Sequence, residues 1–184
     1  AVAYMGDGAS NNQVEGIKIL SNIINNPGYY NAVFISPASW TGLSNNAVRD
    51  VEIRGNTMSN HINTTILIDA SNQVNCHNNI TENILIAGNR LDGQDVTIEV
   101  LSESGMYSMG NQVNNIAITG NLITTGGIQF SGATGYSAHD NAITNVLIER
   151  NLIHACMANG IYLSAGSGGA YHNTLEHVTL RSNA

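Results

Sequence analysis

Three carboxylates, Asp69, Glu99 and Glu103, and the pair Tyr136 and His139 are the side chains of this sequence best placed to do chemistry. Glu99 lies inside a short apolar run, Ile98-Glu-Val100. Asp69 and Glu103 come just after the ends of two such runs in adjacent repeats. Carboxyl groups on neighbouring turns of a stacked chain can work as acid and base on a glycosidic bond, or can hold a calcium ion. Asp92 and Asp95 precede Glu99 and extend the same acidic surface. In register, Tyr136-Ser-Ala-His139-Asp140 stands beside Tyr171-His172, and histidine with tyrosine can supply base and acid for β-elimination. Tyr162, on the same outward face as Glu99, can stack on a sugar ring. Each set also has a plainer reading: an acidic protein has an acidic surface, and loops often carry histidine and tyrosine.

These residues are placed by a repeat. Asparagine recurs in two columns: Asn12, Asn46, Asn79, Asn111, Asn141 and Asn173, and then, ten residues on, Asn22, Asn56, Asn89, Asn121, Asn151 and Asn183. The period is 30 to 34 residues, which predicts a solenoid. Between the columns runs one apolar pattern, as in Val48, Val51 and Ile53; the block from Asn79 departs from it, with Thr81 in place of an aliphatic. Alternation with β-branched residues predicts a strand. A second short strand follows each block: Val33 to Ile35, Ile66 to Ile68, Ile98 to Val100, Ile128 to Phe130 and Ile161 to Leu163. With no helix to connect them, the strands must stack in parallel, about 4.8 Å per coil. Asparagine tolerates left-handed backbone and offers both donors and an acceptor, so the two columns are expected inside, at corners, bonded along the axis. The expected fold is all-β: a right-handed parallel β-helix of about five to six coils. Gaps of 20 to 24 residues separate the blocks and carry loops over 36–45, 69–78, 101–110, 131–140 and 164–172. Part of each loop is expected to form a third short strand.

The run Asn145-Val-Leu-Ile-Glu-Arg-Asn151-Leu-Ile-His-Ala-Cys-Met-Ala-Asn-Gly160-Ile-Tyr-Leu163 resembles the parallel β-helix repeat of the pectate-lyase-like superfamily. Asn115-Ile-Ala-Ile-Thr-Gly-Asn121 and Asn83-Ile-Leu-Ile-Ala-Gly-Asn89 are similar. The resemblance covers nearly the whole chain. It implies an extracellular or cell-surface protein that faces polysaccharide, because that superfamily includes lyases, hydrolases, epimerases, tailspikes and non-enzymatic surface proteins. It carries over no catalytic residue. The calcium aspartates and arginine of pectate lyases have no counterpart. The Asn-Thr-Asp, Asp-Asp and Gly-His-Gly motifs of polygalacturonases and the Asp-Pro-His-Glu motif of alginate epimerases are absent. Three readings follow: a polysaccharide-binding surface domain, a fragment of a polysaccharide lyase or glycoside hydrolase, and a structural stalk or filament segment.

Composition narrows the partners. Only 10% of residues are charged, the net charge is −7, and Lys18 is the single lysine. Nucleic acid and anionic membrane both call for a basic footprint, which is missing. No apolar run is long enough to span a bilayer. Cys76 and Cys156 fall at different corners, too far apart to bridge, and are expected as free thiols. Asn63-Thr-Thr matches a glycosylation sequon. The segment from Val2 to Gly8 aligns with a second strand, and the last block ends one residue after Asn183. Residues 1–184 therefore read as a single β-helix domain and as a segment of a longer one, with end-to-end self-association as a possible partner contact.

Overall fold

The computed structural model describes residues 10–25, 31–62, 64–93, 96–154, 156 and 159–184. It is all-β, without a helix among the described residues, and winds as a right-handed parallel β-solenoid of about five turns. The block between the asparagine columns forms the long strands β5 (Ala47–Arg54), β8 (Ile80–Ala87), β11 (Gln112–Thr119), β14 (Ala142–Glu149) and β17 (Thr174–Arg181). In the first coil the block is split into β1 (Gln13–Glu15) and β2 (Lys18–Leu20) by Gly16. The second sheet contains β3 (Ile23–Asn25), β6 (Thr57–His61), β9 (Arg90–Gly93), β12 (Leu122–Thr125) and β15 (Leu152–Ile153). The third contains β4 (Val33–Ile35), β7 (Ile66–Asp69), β10 (Ile98–Leu101), β13 (Ile128–Ser131) and β16 (Ile161–Ser164). The expected short strand after each block is therefore this third sheet. The additional strand lies elsewhere than expected. It starts directly after the second asparagine, while the loops before the first asparagine make only isolated bridges.

Register follows the repeat. Val48, Thr81, Val113, Ile143 and Leu175 are successive partners, as are Ile53, Ile86, Ile118, Ile148 and Leu180. Inward aliphatics from all three sheets make one core, with Met58, Leu91 and Ile123 from the second sheet and Ile68, Val100 and Phe130 from the third. β-branched side chains fit such a thin, pleated interior.

Both asparagine columns are buried ladders in the middle coils. Asn56, Asn89, Asn121 and Asn151 stack in turn. The backbone N–H and Nδ2 of each donate to Oδ1 of the next, at 2.9 to 3.0 Å. The second Nδ2 hydrogen goes to a strand carbonyl of the preceding coil, Ile53 O for Asn89 and Ile86 O for Asn121. The other column repeats this through Asn79, Asn111 and Asn141. One expectation is corrected. The left-handed residue at each corner is the one before the ladder asparagine: Asn45, Asn78, Gly110, Asp140 and His172 at one corner, Gly55, Gly88, Gly120, Arg150 and Ser182 at the other. That bend turns the chain sharply and leaves the asparagine itself free to point inward.

A third left-handed column lies on the outer face, at Asp50, Asn83, Asn115, Asn145 and His177. Here Asn83 Nδ2 donates to Asp50 and Asn115 Nδ2 to Asn83, both at 2.9 Å. The signal in the sequence is Asn or Asp at the fourth position after the first asparagine in four of the six blocks, with Gly16 and His177 in the first and last.

Candidate functional site

The loops after the third sheet, over 36–45, 70–78, 102–110, 132–140 and 165–172, stack on one flank. They are linked through the bridges Ser44, His77, Met109, His139 and Tyr171. Their backbones pack so closely that a Cβ on Gly105 would run into the carbonyl of Gln73, and one on Gly135 into the carbonyl of Gly105. The loop aromatics and Met106 and Met109 are turned outward, whereas Leu43 and Glu103 are buried. Of twelve exposed large apolar side chains among the described residues, six are on this flank: Trp40, Met106, Tyr107, Met109, Tyr136 and Tyr171.

His139 stacks face to face on Tyr171, with centroids 5.0 Å apart, and Tyr171 meets His172 edge-on. His139 Nδ1 is 2.8 Å from Asp140, and His172 Nδ1 is 3.9 Å from the other oxygen of that carboxylate. Tyr136 meets Tyr107 edge-on at 6.1 Å and packs over Gly169. Tyr136 and His139 are thus brought to one flank, in one loop. The shared register of His77 and His139 is also real, but Met109 separates them.

The three carboxylates are not brought together. Glu99 faces outward in the column Phe34, Leu67, Glu99, Gln129 and Tyr162. Thr64 Oγ1 donates to it at 3.0 Å and Gln129 Nε2 at 3.3 Å. Partial burial raises its pKa, offset in part by the Thr64 bond. Asp69 and Glu103 were expected just beyond this outward column, but both are fully sealed inside the corner where the chain leaves the third sheet. Asp69 accepts from the Ser71 backbone N–H at 2.8 Å and from the Ser104 hydroxyl at 2.9 Å. Ser36 and Ser164 occupy the same register and cap the same turn, each accepting from the N–H two residues on. Asp69 therefore does a job that serine does elsewhere. In the next coil the position is Leu101, and Glu103 accepts from the Gly105 N–H instead and from Asn111 Nδ2 of the ladder. Burial, and then the nearby Asp69 carboxylate, push the pKa of Glu103 up to about 10; burial raises that of Asp69 well above the usual range. Thr81, the one departure from the apolar pattern, donates its hydroxyl to the Asp69 carbonyl at 3.2 Å. This pair holds a corner and has no access to a polymer outside.

Among the described residues no three His, Cys, Asp or Glu side chains converge to hold a metal ion. Asp95 and Asn63 lie outside the described residues. Cys76 is buried with its thiol 3.1 Å from Trp40 O, burial raises its pKa, and neither cysteine is bridged. His61, at the end of β6, is 1% exposed with both ring nitrogens lacking a hydrogen bond. Glu52 and Arg54 on the long sheet form an exposed ion pair at 3.1 Å. No helix among the described residues is long and apolar enough to cross a membrane. No protein-family model matches the chain, and no curated protein matches it.

Proposed function

We propose that this chain is an extracellular, surface-facing β-solenoid that binds polysaccharide on its loop flank, with no chemistry of its own. The observation that carries this reading is the set of tyrosines on consecutive loops, with Tyr107, Tyr136 and Tyr171 each about half exposed. Solvent-facing rings fixed on a rigid backbone offer flat apolar platforms with a polar tip, at little entropic cost. A cluster of exposed apolar side chains marks a contact site. The resemblance of the repeat to the pectate-lyase-like superfamily supports the same reading. A glycan array with the intact chain, Tyr136→Ala and Tyr171→Ala tests it. We expect binding by the intact chain, weakened about tenfold in each variant, as befits an aromatic anchor. A chain that captures no glycan rules the reading out.

The second reading, a lyase or hydrolase fragment, has one observation in its favour: the contact between His139 and Asp140, which orients an imidazole as a base. Cleavage of any polysaccharide, abolished in His139→Ala, would put it first.

A further inference from the structure

We propose that the glycan bound on this flank is an uncharged one, and that polyuronates are excluded. The inference rests on the polysaccharide reading above and narrows it by charge. Not one lysine or arginine occurs in the loops 36–45, 70–78, 102–110, 132–140 and 165–172. Their carboxylates are Glu103, which is sealed in the corner, and Asp140, which is held by His139. Of the five arginines, all outside the loops, Arg49 is paired with Glu82, Arg54 with Glu52, and Arg150 and Arg181 with Glu149, while Arg90 opens β9 in the second sheet. Carboxylates on a ligand are gripped by arginine forks or by lysine; the loops present neither, and Arg49, beside them on β5, is already tied to Glu82. The net charge of −7 repels a polyanion at longer range.

What the flank does present suits hydroxyl groups. Toward the first coils it opens into a groove of about 460 Å3 lined by Asn11, Gln13, Asn45 and Asn78, with Arg49 at its side. Amides both donate and accept, as sugar hydroxyls require. Asn78 reaches over Gly110, where a Cβ would meet its Oδ1, and so carries the amide surface toward Met109, His139 and Tyr171. Coil spacing of about 4.8 Å is close to the length of one hexose in an extended chain, so successive sugars can meet successive loops.

Calorimetric titration of the intact chain decides the matter. The neutral polymers are hydroxyethylcellulose and galactomannan; the acidic ones are polygalacturonate and alginate, each with and without calcium. We expect only the neutral polymers to bind, with a Kd unchanged between low and high salt. Tyr171→Ala and Asn78→Gly should each weaken them about tenfold with no change in Tm; glycine keeps the left-handed backbone at position 78. Binding confined to acidic polymers, or binding that weakens with salt, overturns the uncharged assignment and leaves polysaccharide binding standing. No binding to any of the four overturns both.

Discussion

Raising the pH through neutrality should weaken this fold, and Glu103→Gln should remove much of that weakening. Glu103 is fully buried and its pKa is pushed up to about 10, whereas in the unfolded chain it titrates near 4.5. Between those limits the folded state holds one proton more than the unfolded state. Its contribution is therefore complete below pH 4.5 and is lost as the pH climbs toward 10. One such group costs about 1.4 kcal/mol per pH unit, or about 3 kcal/mol from pH 5 to pH 7. That is a large share of a typical stability of about 5–15 kcal/mol. Asp69 is shifted in the same direction and adds to the slope. Glutamine keeps an acceptor for the Gly105 N–H, and its amide stays beside the Ser71 and Ser108 hydroxyls that face Glu103. Asn111 Nδ2 keeps Cys76 O and Asn141 Oδ1. Urea unfolding across this pH range reads the effect as a midpoint that falls with pH at constant m-value. The variant should lose about half of that slope and become the more stable form at neutral pH. Equal slopes for the two proteins would refute a protonated Glu103 in the corner.

Three further outcomes are expected. Asn89→Ala breaks four side-chain hydrogen bonds in a dry interior and should cost about 1–3 kcal/mol. Asn183→Ala breaks three at a half-buried site and should cost less, and Asn22→Ala, which breaks two at an exposed one, least; equal shifts in thermal melts would contradict the buried ladder. His61→Leu should stabilise by about 1 kcal/mol, since it removes buried nitrogens that bond to nothing; a lower melting temperature would show that the imidazole is needed. The outer edge of β17 is unpaired among the described residues and Leu180 is half exposed, so we expect concentration-dependent association in light scattering, reduced by Leu180→Lys. A strictly monomeric chain at every concentration would count against it.

The architecture was legible because a solenoid repeats its own evidence. Six copies of each asparagine column and of the apolar pattern between them left little freedom in register, and the third-sheet strands fell where their aliphatic runs stood. The second sheet was missed because its strands are short and lack clean alternation, Thr57–His61 being mostly polar and Leu122–Thr125 having two aliphatics side by side. The left-handed corner was placed one residue late, since asparagine favours that backbone while its inward amide needs the bend just before it. The carboxylates show where local pattern runs out. The alternation that correctly turned Glu99 outward breaks at the strand's end: Asp69, the last residue of β7, is already turned inside, as is Glu103 in the turn beyond β10.

The asparagine ladders give the solenoid a polarity. In every step of both columns, the earlier coil supplies the N–H groups and the later coil supplies the oxygen. A coil's two faces are therefore unlike: one offers donors at two corners, the other acceptors. Two copies meeting through like faces would set donor against donor or oxygen against oxygen, at both corners at once. Isologous, two-fold stacking of solenoid ends is mismatched by this rule, and only head-to-tail contact continues the columns. An assembly built this way has no closing symmetry, and, like any polar filament, it grows from two chemically different ends.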